Sequence, residues 1–133
     1  MELASHLVDF GMVVLLWLVQ FVIYPSFLRI DSEKLVDWHQ SYTFRVSFVI
    51  IPMMFGQMGL WVYHAVQNTS LPNITGLTLV SICWILTFCV SVPLHNRISK
   101  GEGSDAVLRA LIDTNWYRTV CWSAIFIVGL LAF

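Results

Sequence analysis

The chain has 133 residues, of which 58% are hydrophobic and 11% charged. Its mean hydropathy is +0.76. Soluble domains carry about 25% charged residues, so this composition excludes one and points to an integral membrane protein. A net charge of −1 leaves no basic surplus for nucleic acid, and none is expected as a partner.

In chain order, three segments carry no charge: Phe10 to Leu28, Val46 to Val66 and Ile74 to Leu94. Each reaches the roughly 20 residues that cross about 30 Å of hydrocarbon. A fourth, from Thr114 to the end, reaches that length only by including Arg118. Uninterrupted apolar runs lack the in-out alternation of barrel strands, so helices are expected. The expected fold is a single all-α transmembrane domain, residues 1–133, a four-helix bundle with spans near 9–28, 46–66, 74–94 and 114–133. The first span is read as retained, because no basic residue precedes it and no small-x-small cleavage site follows.

The seven basic residues lie in or beside two connections: Arg29, Lys34 and Arg45 at one, and Arg97, Lys100, Arg109 and Arg118 at the other. The positive-inside rule puts both connections in the cytoplasm and both termini outside. The first connection could hold a short interfacial helix that runs into the second span. Pro25 and Pro52 are expected to kink spans one and two, and Pro72 suits the first turn of span three. In the second connection Ser104 can cap a helix, and Val107, Leu108, Leu111 and Asn115 recur at helical spacing. This predicts an amphipathic cytoplasmic stem that continues into span four. The sequons at Asn68 and Asn73 are read as turn and cap chemistry, and Cys83, Cys89 and Cys121 as packing residues.

Polar residues gather at the cytoplasmic ends of the spans. Gln20 and Tyr24 share one face of span one, and Trp38, His39, Tyr42 and Arg45 one face of span two, with Gln57 deeper. Thr87, Ser91 and His95 recur every four residues in span three, followed by Asn96, while Asn115, Arg118, Thr119 and Trp122 mark span four. Such groups are costly in lipid, so their faces are expected to turn inward onto a pocket open to the cytoplasmic leaflet. Arg118 would there meet Asn115, His95, Tyr24 or a carboxylate such as Asp37 or Asp113. Alternatively it snorkels to headgroups. His39, His95 and Arg118 are the candidate catalytic residues; Tyr24, Trp38, Tyr42, Arg45, Asn96, Asn115 and Trp122 are the candidate substrate-binding residues.

No cofactor or metal is expected. Weaker readings are haem b held by His39 with His95 or by His6 with His64, and copper held by Met53, Met54, Met58 and Cys. Whether the chain is an enzyme stays open. One function is an oxidoreductase or oxygenase-like enzyme acting on a lipophilic or aromatic substrate. Another is a structural or accessory subunit, as a homo-oligomer or in a membrane complex. A small transporter is disfavoured because no acidic residue stands deep in a span.

The stretches "YPSF", "WHQSYTFR", "PMM", "VPLHNRIS" and "TNWYRTVCW" resemble small bacterial four-span membrane proteins of unassigned function. More distantly, "PLHNR" and "NWYRT" are similar to the anthrone-oxygenase-like family. That resemblance implies a bacterial inner-membrane protein with a pocket for a flat or lipophilic molecule, and His95, Asn96, Asn115 and Arg118 as its site positions.

Overall fold

The computed structural model describes residues 1–133 and contains helices and turns only. We number the helices α1 (Glu2–Phe27), α2 (Ser32–Gln67), α3 (Leu71–Ser99) and α4 (Asp105–Ala132). The first three are long and apolar enough to cross a membrane. α4 is less apolar because its first half carries Asp105, Arg109, Asp113 and Arg118, whereas no charged side chain follows Arg118.

The four helices run antiparallel in sequence, so two ends can be told apart. The basic end holds the α1–α2 and α3–α4 connections. The terminal end holds the α2–α3 turn and both chain ends, where His6 Nε2 lies 3.1 Å from the Phe133 carbonyl oxygen. At that turn Ser70 is the N-cap of α3 and accepts from the Asn73 amide. The buried Asn73 side chain donates to the His64 and Asn68 carbonyls, which is the turn chemistry read from the sequence.

Ser104 occupies the N-cap position of α4, but its side chain makes no cap bond. The expected stem is continuous with the helix. Val107, Leu108 and Leu111 pack against Val19, Tyr24, Phe27, Leu35 and Ile98 in one core at the basic end. A second core toward the terminal end gathers Met12, Leu16, Met54, Trp61, Val80, Trp122 and Ile125.

α2 is continuous from the first connection onward, with Pro52 inside it. α1 and α3 instead each contain a π turn, Val19–Ile23 and Thr87–Ser91, two residues before a proline. A proline ring clashes with the carbonyl four residues earlier, and a widened turn moves that carbonyl away. The wide turn has a second effect. Steps of four residues overshoot a 3.6-residue turn by about 40° each, so long runs of them drift off a face. Met12, Leu16, Gln20 and Tyr24 on α1 nevertheless all stay buried, as do Thr87 and Ser91 on α3. The extra angle is absorbed in the π turns.

The exterior is strongly apolar, and the mainly apolar interior holds an unusual share of polar groups. Of 32 buried residues, 12 are polar or charged, so the interior depends on hydrogen-bond networks. The outer faces carry Phe10, Phe21, Phe44, Phe48, Phe55, Ile85, Phe88 and Leu131, all exposed. An apolar exterior on this scale needs an apolar surrounding.

Candidate functional site

Arg118 is the centre of the basic-end network. Its side chain is 4% exposed, and Nη1 donates to Ser91 Oγ at 3.1 Å, Asn115 Oδ1 at 3.2 Å and, more distantly, Tyr24 Oη at 3.5 Å. Three helices thus converge on one nitrogen. Gln20 fixes the geometry from behind: its Oε1 accepts from Asn115 Nδ2 at 2.9 Å, and its Nε2 donates to the Ile112 carbonyl at 3.1 Å. Asn115 is thereby held with its acceptor oxygen toward the guanidinium. Beneath, the guanidinium carbon lies 5.3 Å from the centroid of the buried Trp122 ring, a cation–π contact.

The expected carboxylate is missing. Asp37 and Asp113 are both exposed, and the one ion pair in the chain joins Arg97 to Glu102 at the surface. Arg118 Nε is buried without a partner, and no hydrogen bond within the chain uses Nη2. Those two nitrogens form one edge of the guanidinium, the edge that recognises paired oxygens bidentately.

From Tyr24 a chain of hydrogen bonds runs toward the basic end. Tyr24 Oη lies 2.8 Å from His95 Nε2, His95 Nδ1 lies 2.8 Å from His39 Nε2, and His39 Nδ1 lies 3.0 Å from Ser99 Oγ. Each imidazole can donate or accept according to its tautomer, and the direction that gives every proton an acceptor within the chain starts from Arg118, which can only donate. Tyr24 accepts from Arg118 and donates to His95. His95 then carries its proton on Nδ1 and donates to His39, which carries its own on Nδ1 and donates to Ser99. The opposite orientation leaves the Tyr24 proton with no acceptor in the chain.

Beside these groups is a cavity of about 270 Å³. α2 supplies one wall through Tyr42, Val46, Ile50 and Met54, and α3 the other through Thr87, Ser91, Val92 and His95. Tyr24 and Arg118 line its polar part, and exposed Ile51, Phe88 and Asn96 belong to its rim. It is a mostly apolar slot with a few convergent polar groups, the usual character of a small-molecule site.

Most of the sequence-derived residues meet here. Tyr24, Tyr42, His95, Asn96 and Arg118 line the cavity. His39, Asn115 and Trp122 stand behind it as hydrogen-bonding or stacking support. Trp38 and Arg45 do not join them: both are exposed and share a separate outward groove on α2. His39 is completely buried at 0% exposure, and Trp38 and Arg45, about 100–120° round the helix from it, fall on the exposed flank. Gln57 belongs to a different network, where its Oε1 accepts from Trp122 Nε1 at 2.8 Å.

The four imidazoles are placed differently from paired haem ligands. His39 and His95 bond to each other, His64 lies 3.0 Å from Ser5 Oγ, and His6 approaches Phe133. Ser91, on the inward face read from the sequence, supplies an acceptor oxygen for Arg118, and Ser99 completes the site beyond the residues singled out from the sequence. Extending the series Thr87, Ser91, His95 by one more step of four finds Ser99. Asp9 was also missed: it is 1% exposed and accepts from Gln57 Nε2 at 2.6 Å and Trp61 Nε1 at 3.3 Å. Asp9 stands at the start of the first span, enclosed by the protein rather than deep in the span, so it does not supply the deep acidic residue that transport was expected to need. Comparison with family models, curated proteins and solved structures finds no match to this chain.

Proposed function

We propose that this chain is a multi-pass membrane protein that takes a lipophilic molecule into the slot between α2 and α3, removes a proton from it and holds the resulting anion on Arg118. The carrying observation is a buried guanidinium with an unused edge and no carboxylate partner. An uncompensated interior charge is costly, and a ligand anion would compensate it. The apolar walls suit a hydrocarbon or aromatic body, and the slot between two long apolar helices suits entry from the bilayer. In the expected orientation the basic end faces the cytoplasm.

The relay suits proton removal. A proton leaving the ligand goes to Tyr24 Oη as the Tyr24 proton passes to His95 Nε2; the His95 Nδ1 proton passes to His39 Nε2, and the His39 Nδ1 proton to Ser99 and water. The ligand is left as an oxyanion against Arg118, which already carries the opposite charge and needs no rearrangement. A phenolic or enolisable ring meets these demands, in keeping with the distant resemblance to anthrone oxygenases. We infer an enzyme of that substrate class in the inner membrane of a bacterium.

A second reading has support from the Gln20–Asn115 pair, which is satisfied away from the cavity and ties α1 to α4. In that reading the network is a structural lock of an accessory subunit or homo-oligomer. Mass spectrometry of small molecules that co-purify in mild detergent separates the two. Loss of a bound lipophilic acid or phenol in a folded Arg118→Ala protein supports the pocket. If that variant unfolds, Arg118→Lys, which keeps the charge, gives the answer: full helix content with unchanged small-molecule content favours the lock.

A further inference from the structure

Asp9 is the other interior charge-bearing residue, and the activity above does not use it. Its Oδ1 accepts from Gln57 Nε2 and Trp61 Nε1, while Oδ2 is buried with no partner. Two N–H donors aimed at the carboxyl disfavour a metal cation there, since they bring positive hydrogens rather than oxygen ligands. On the Oδ2 side is Gly129, whose added Cβ would come 3.2 Å from that oxygen, with Trp61 and Phe133 nearby. A free carboxylate oxygen in such surroundings is costly, and a proton on it removes the charge while Oδ1 keeps both donors.

Asp9 is also linked to the pocket. Gln57 donates to Asp9 through Nε2 and accepts from Trp122 through Oε1, and the Trp122 ring stacks beneath Arg118. One amide and one indole thus connect the interior anion to the interior cation. The other charged or basic groups around Asp9 are the Met1 amino group, Glu2 and His6 at the start of α1 and His64 on α2. All four lie near the terminal end, on the opposite side of Asp9 from the pocket.

We propose that Asp9 is a proton-binding site coupled to the pocket, so that capture of an anion by Arg118 is accompanied by uptake of a proton at Asp9. The inference rests on the reading of Arg118 as an anion site. No ion pair joins Asp9 to Arg118, so neither compensates the other fully; Arg118 attracts the carboxylate only at long range, and an anion bound there cancels that attraction and favours a proton on Asp9. Protonation keeps the interior neutral. The protein would then take up anion and proton together.

Two measurements test this. Calorimetry of 1-hydroxy-2-naphthoate binding to the full-length protein in detergent, in two buffers of different ionisation enthalpy, counts protons. At a pH near the midpoint of the carboxyl titration, wild type is expected to take up a measurable fraction of a proton per anion and Asp9→Asn none, with binding retained. Equal uptake in both proteins overturns the proposal. Infrared spectroscopy without ligand supplies the second arm. It should show a protonated-carboxyl carbonyl band that titrates in wild type, is missing from Asp9→Asn, and shifts its midpoint when Arg118→Gln removes the cation. An absent band, or an unmoved midpoint in a folded Arg118→Gln protein, also overturns it. Failure of the naphthoate to bind wild type counts instead against the anion reading of Arg118, while the infrared arm still decides the coupling.

Discussion

At Arg118 the interior cost of a charge and the specificity of a site are the same fact. Its Nη1 is saturated by Ser91, Asn115 and Tyr24, so what distinguishes it from a snorkelling arginine is the edge left over. Arg118→Lys is expected to weaken ligand binding about ten- to a hundredfold, since lysine offers the charge without the planar fork and hydrogen bonds to charged groups are worth about 1.5–3 kcal/mol. Titration of the co-purifying molecule into both proteins checks this. Tyr24→Phe and His95→Phe should instead retain binding and slow proton exchange between ligand and water by about 10²–10⁴, the usual scale of acid–base assistance. Arg118, Asn115, Tyr24, His95 and His39 were legible in the sequence because polar groups at three-and-four spacing in an apolar helix are costly in lipid and tend to face inward. Asp9 was not, because it stands near the start of its helix, where a carboxylate ordinarily reaches water. The end of α4 closing over it makes it interior.

Among the elements, Gly76 of α3 leaves no room for a side chain against Trp61 of α2. A Cβ there would lie 1.9 Å from a carbon of the Trp61 ring, which is fully buried and donates to Asp9. Gly76→Ala is expected to destabilise the bundle by about 1–3 kcal/mol through overpacking, read as a lower thermal midpoint in detergent. Gly56 and Gly59 have nothing within 4 Å of an added Cβ, so alanine at either should be neutral or stabilise by up to about 1 kcal/mol. Helix existence and extent were legible from apolar runs. The π turns were not: ahead of Pro25 the chain forms one widened turn, and Gln20 and Tyr24 both stay on the inner face. The same device at Thr87–Ser91 keeps Ser91 in the site.

For the whole molecule, the apolar exterior of three helices long enough to span argues that the bilayer is its solvent, and the basic connections give its expected direction. A reporter fused after Phe133 should be active only when placed outside the cytoplasm, and one inserted at Gly101 in the α3–α4 turn only inside. Reversed activities would invert the orientation but leave the slot and its relay intact.

The sequence by itself determined that the chain forms apolar helices, roughly where each lies, and which polar faces could not be left in lipid, because hydropathy and the 3.6-residue period are local properties. Only the tertiary structure decided that Trp38 and Arg45 point away, that no carboxylate answers Arg118, and that Asp9 is enclosed. Those outcomes depend on the rotation of each helix about its axis and on which ends pack together, and no single helix carries that information.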